Sequence, residues 1–164
     1  MTNRNSKTKK NNKAIIDTYE TIYFVDIVVA NRYTTLEQLK KLYCYSDGVE
    51  LDEEILDGDC TTTLVTRISD NKACCLVKHN HPTRIKGVSK IEDLINTVAH
   101  EAGHVVLDIY NHMSQQVCIC SSEPFCYLLG YVTVCIYKTI TKNEQYRTEL
   151  YTILRRLFKS KGLV

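Results

Sequence analysis

Ser89-x-x-Glu92 opens the longest regular pattern in the chain. Leu94, Ile95, Val98, Ala102, Val105, Val106 and Ile109 follow it at the spacing of a helix with one apolar face. The spacing predicts a helix over 90–112. Upstream, residues 21–30 (Thr-Ile-Tyr-Phe-Val-Asp-Ile-Val-Val-Ala) are rich in β-branched and aromatic types and predict a buried strand. Residues 61–68 and 73–79 predict two more strands, joined as a hairpin by Ser69-Asp70-Asn71-Lys72.

Between these strands, Thr34-x-x-Glu37 reads as a capping box, and Leu36, Leu39, Leu42 and Tyr43 predict a short helix after it. Residues 44–60 carry Ser46-Asp47-Gly48 and Asp57-Gly58-Asp59 and are expected to be mostly turns and loop. Their acids lack the periodicity of a calcium loop. Downstream, Ser121 or Ser122 caps a third helix, with Pro124 in its first turn and Phe125, Leu128, Leu129, Val132 and Ile136 along one face. Thr141-x-x-Glu144 caps a last helix carrying Tyr146, Leu150, Ile153, Leu154, Leu157 and Phe158, with Gly162 as its stop. The expected fold is α+β: a small N-terminal β-sheet with a short helix, followed by a three-helix block.

Composition bounds the rest. The chain has 164 residues, 44% of them hydrophobic and 24% charged, which suits one domain with a real core. Residues 1–13 are polar, with Arg4, Lys7, Lys9, Lys10 and Lys13 and no acid, and are expected to be a disordered basic tail before a single domain over 14–164. A net charge of +2 gives no strong nucleic-acid signal. No apolar run approaches the ~18 residues that span a bilayer, and the N-terminus lacks a secretory apolar stretch. The eight cysteines are therefore expected to be thiols, mostly small core hydrophobes. Cys118-x-Cys120 and the adjacent Cys74-Cys75 are weak metal or redox signals, and Cys118, Cys120 and Cys126 together could serve as a cysteine-based zinc module.

Inside the longest helix lies His100-Glu101-Ala102-Gly103-His104. Two histidines four residues apart share a helix face and can reach one ion, for which zinc needs nitrogens at about 2.0–2.1 Å. Glu101 lies roughly 100° around the helix, beside such an ion, where a general base can hold a water. A third ligand is needed. The metzincin extension would place a glycine and a histidine at the positions that Leu107 and Tyr110 occupy, so that class is excluded. Glu123, nineteen residues after His104, is the candidate carboxylate if the next helix returns antiparallel. Asp108 is left as an orienter of His104 or a plain solvated carboxylate, and His112 lies too far along the helix to share the ion. His79 and Arg84 are candidates to flank a cleft if the 73–79 strand forms the sheet edge that an extended substrate would join.

His100-Glu101-x-x-His104 followed by a helix bearing Glu123 resembles the gluzincin group of zinc metallopeptidases. More narrowly, Val98–Tyr131 resembles small HExxH proteins encoded by bacteriophages of gut Bacteroidales, as does the Leu39-x-x-Leu42-Tyr43-x-Tyr45-Ser46-Asp47-Gly48 stretch. The resemblance implies a zincin-like domain with Zn2+ on His100, His104 and Glu123 and Glu101 as catalytic base. It implies a peptide or protein substrate, a virion or host protein partner, and a place in the host-cell cytoplasm or the virion. Tyr127 and Tyr131 are candidates to steady an oxyanion. The alternative reading is a catalytically silent binding or virion-associated structural protein with the same fold.

Overall fold

The computed structural model describes residues 13–80, 90–118 and 122–142. Five strands form one sheet: β1 Ile16–Tyr19, β2 Asp26–Ala30, β3 Tyr43–Tyr45, β4 Cys60–Arg67 and β5 Lys72–His79, in the spatial order β1-β2-β5-β4-β3. The β2–β5 pair is parallel and the other three are antiparallel. Helices α2 (Lys90–His112) and α3 (Ser122–Thr141) cover one face. Helix α1 (Leu36–Lys40), a 3-10 turn at Glu53–Leu56 and Leu51 cover the other. The architecture is mixed α+β, in three layers.

The central strands carry most of the core. Every residue of β2 is buried, because it lies between β1 and β5 and has helices on one face and α1 on the other. Ile27 and Val29 join Cys75 and Val77 under α2 and α3, while Val28 and Ala30 join Cys74 and Leu76 under α1. That two-sided burial is what an unbroken apolar run looks like in a strand. By contrast β4, Cys-Thr-Thr-Thr-Leu-Val-Thr-Arg, is half-buried along most of its length.

Several boundaries differ from the sequence expectation. The strand predicted over 21–30 begins only at Asp26. Thr21 Oγ1 accepts from Tyr23 N (3.1 Å) and donates to Val25 O (2.7 Å), and Phe24 takes φ +62°, so side-chain hydrogen bonds make a tight loop of residues with strand propensity. The capping box sits one residue later than expected: Gln38 N donates to Thr35 Oγ1 and Thr35 N to Gln38 Oε1. Thr34 is instead buried, with its hydroxyl on Ile15 O. The stretch 44–60 holds part of β3 and the 3-10 turn, which Asp52 caps. The long helix at 90–112 is as expected, and the hairpin forms with its turn at 68–71, one residue earlier than expected, because Lys72 already pairs with Arg67. Only two long helices lie among the described residues. The last predicted helix, the basic tail over 1–12 and the Ser89 cap fall outside them, and Thr141 is the final residue of α3.

Two buried ionic groups hold the sheet. Asp26, at the start of β2, pairs with Arg67 of β4 and Lys72 of β5 (2.7 Å to Lys72), tying three strands at one end. Near the other end Lys78 is fully buried, with Nζ donating to the carbonyls of Asn31 (3.2 Å) and His79 (2.9 Å). Burial pushes its ammonium down to about 8 from an ordinary 10.5. Between those two values the unfolded chain binds more protons than the folded one, so this group makes stability rise with pH. Relative to wild type, the stability of K78M is expected to fall by about 1–3 kcal/mol as the pH rises from 8 to 10.5. Urea melts of the two proteins across that range check it, and a constant difference would contradict it.

Candidate metal centre

Helix α2 lies across β4 and β5 on an apolar stripe of Val98, Ala102, Val105, Val106 and Ile109. Cys75 Sγ, on β5, makes a weak contact with the carbonyl of Val105 at 3.9 Å. The stripe determines where the polar residues between its members point. His100 and His104 fall on the solvent side, and Glu101 falls on the flank toward β4.

The two imidazoles meet. Their Nε2 atoms are 3.0 Å apart, with ring centroids 4.7 Å apart and planes at 75°. An ion about 2.0–2.1 Å from each would fit between them at an angle of roughly 95°. Glu101 is 6% exposed despite its charge, and its Oε2 accepts a 2.6 Å hydrogen bond from Thr62 Oγ1 on β4. One Glu101 oxygen is thereby engaged, leaving Oε1 and further lone pairs to accept from a water or a substrate.

Glu123 is not brought to this pair. It is exposed, in the first turn of α3. Two residues on, Phe125 packs edge-to-face on Tyr110 at 5.8 Å, so the start of α3 lies opposite the C-terminal turn of α2. Tyr110 is six residues beyond His104, about 9 Å along the axis at 1.5 Å per residue. Among the described residues no three of His, Cys, Asp and Glu converge as a metal site. Asp108, one turn beyond His104, is half-buried; burial raises its carboxyl and the His104 charge pulls it back. His112 is exposed at the end of α2.

The remaining expectations divide. β5 is an interior strand between β2 and β4, so it offers no free edge for a substrate, and His79 is buried at its end. The hairpin connection places β4 outside β5, which is why the edge on this side belongs to β4 and β3. Arg84 lies outside the described residues. Tyr131 donates to Glu20 O (3.0 Å), so its hydroxyl is engaged by the β1–β2 loop, while Tyr127 is exposed. No disulfide joins the described cysteines to one another. Cys74, Cys75 and Cys135 are buried, Cys118 and Cys126 are exposed, and Cys120 lies outside the description. Burial drives the Cys60 and Cys75 thiols far up, which suits packing and not nucleophilic work.

The contribution of Thr62 was not visible in the sequence. It sits in a Thr-Thr-Thr run with no chemical motif, and only the register of β4 under α2 gives it a role. No family model, curated protein or solved structure matches this chain. No helix of the described residues is long and apolar enough to cross a membrane.

The geometry makes separable predictions for zinc affinity, read by competition with a chromophoric chelator. H100A and H104A are each expected to weaken binding by about 100-fold or more, since each removes half of the paired nitrogens. E123Q is expected to leave it within about two-fold; a loss of about ten-fold or more would restore Glu123 as a ligand.

Proposed function

We infer that this chain is a zinc-dependent hydrolase acting on peptide bonds, with His100 and His104 holding the ion and Glu101 serving as general base. The observation that carries the reading is the paired Nε2 atoms at 3.0 Å beside a buried glutamate on the adjoining helix face. A carboxylate taken out of water on a helix flank is costly, and it needs a purpose or a partner. The gluzincin resemblance of the same residues points the same way. Bound there, zinc would supply Lewis acidity to a water and to a scissile carbonyl.

The chain's own residues do the rest. Glu101 takes a proton from the attacking water and delivers it to the leaving amine. The segment of β4 before β3 pairs with it offers a strand edge for an extended peptide. β3 covers only Val65–Arg67, and no strand among the described residues lies beside Cys60–Leu64 on that side. An edge of this kind recognises main chain, which makes peptides the substrate class.

A second reading has one observation in its favour. With Glu123 turned to solvent opposite the end of α2, the described residues offer two protein ligands where catalytic zinc sites ordinarily have three. That pattern suits a catalytically silent binding or virion-associated protein. One experiment separates the two. The zinc-loaded chain is incubated with a quenched-fluorescence peptide library, and E101Q is the control. The hydrolase reading expects cleavage by wild type and a loss of about 10²–10⁴-fold in E101Q with zinc affinity unchanged. Equal cleavage by the two proteins, or none by either, favours the silent scaffold.

A further inference from the structure

We propose that Thr62 is a positioning residue, whose hydroxyl fixes the Glu101 carboxylate relative to the free edge of β4. This rests on the hydrolase reading above.

The register of the sheet sets the direction of the Thr62 main chain. Cys60 stands opposite His79 in the β4–β5 pair, and one step further Asn80 N donates to Asp59 O at 2.8 Å. In an antiparallel ladder, directly bonded pairs alternate with unbonded ones. Asp59, Thr61 and Thr63 therefore spend their main-chain groups on β5, while Cys60, Thr62 and Leu64 direct theirs outward. The other side agrees. Ile68 N donates outward to Leu42 O at 2.9 Å, in the same register that pairs Tyr43 with Arg67.

Side chains along a strand alternate between faces. Cys60 and Leu64 pack into the cluster beneath α2, and Thr62 lies between them on that face. A single residue thus presents its peptide N–H and C=O to the open edge and its hydroxyl to Glu101, at 2.6 Å. A peptide pairing with that edge would be registered on Thr62, and Thr62 holds the base. Of the three consecutive threonines, Thr61 turns its hydroxyl to Asp57 O (2.8 Å) instead. A valine at 62 would keep the shape and the strand propensity and remove only the donor. A serine would keep the donor.

The test uses full-length wild type, T62V, T62S, E101Q, E101A and the T62V/E101A double variant, with the best peptide from the library as substrate. T62V is expected to bind zinc within about two-fold of wild type and to lose about ten-fold or more in kcat, with KM changed by less than about three-fold. T62S is expected to stay within about three-fold in kcat, a rescue that packing alone would not produce. In zinc-free protein the T62V and E101A shifts in urea midpoint are expected not to add, because alanine removes the acceptor that the amide of E101Q would keep. Additive shifts would mean that the two side chains do not interact in solution and would overturn the proposal whatever the activity. Wild-type kcat in T62V beside an inactive E101Q overturns the positioning role and leaves the hydrolase reading intact. Undiminished cleavage by E101Q, or none by wild type, removes that reading, and this role with it.

Discussion

The seating of α2 on the β4–β5 hairpin is the contact on which the rest of the molecule depends. Val98, Ala102, Val105, Val106 and Ile109 bury a stripe against Cys75, Val77 and the half-buried side of β4. A helix has one rotation that buries such a stripe, and once that is set no other residue on it is free to choose its surroundings. His100 and His104 go to solvent together, and Glu101 goes to the flank facing a threonine. The site is a consequence of packing as much as of the motif.

Legibility in the sequence followed the strength of the period. The long helix and the β4–β5 hairpin carry signals many residues long and were readable to within a residue or so. The β1 strand and the three-residue β3 were not, because both are held at sheet edges by their partners and not by their own composition. Thr21 and Thr34 misled for one shared reason. A threonine hydroxyl can cap a helix, satisfy a loop carbonyl or face solvent, and local sequence does not say which. Within the site, the histidine pair was legible because four residues is close to one helical turn. The position of Glu123 was not, since it depends on where α3 begins relative to α2, a matter of loop path and of the Tyr110–Phe125 contact. Thr62 was invisible because its role comes from register.

Polar groups inside this fold are used as fasteners. Asp26 joins three strands through Arg67 and Lys72. Asn31 binds the chain before β1 through Ile15 N and Lys13 O. At the far end of α3, Thr139 donates to Asp17 (2.6 Å) and Lys142 pairs with the same carboxylate at 2.5 Å, fastening the helix to the edge strand β1. Asp26 and Asp17 are each compensated by charge-assisted bonds, and Asn31 by neutral ones to the backbone.

The parallel β2–β5 seam has a consequence for how the chain assembles. Its partners, Asp26–Ala30 and Cys74–Lys78, lie roughly fifty residues apart, so closing it carries a larger entropic cost than any hairpin in the sheet. Thr62 sits on β4 and His100, Glu101 and His104 sit on α2, with β5 the one described element between them in the chain. The segment from β4 to α2 that carries these residues is continuous in the chain, and the β2–β5 seam is the strand pairing that must reach furthest back along it.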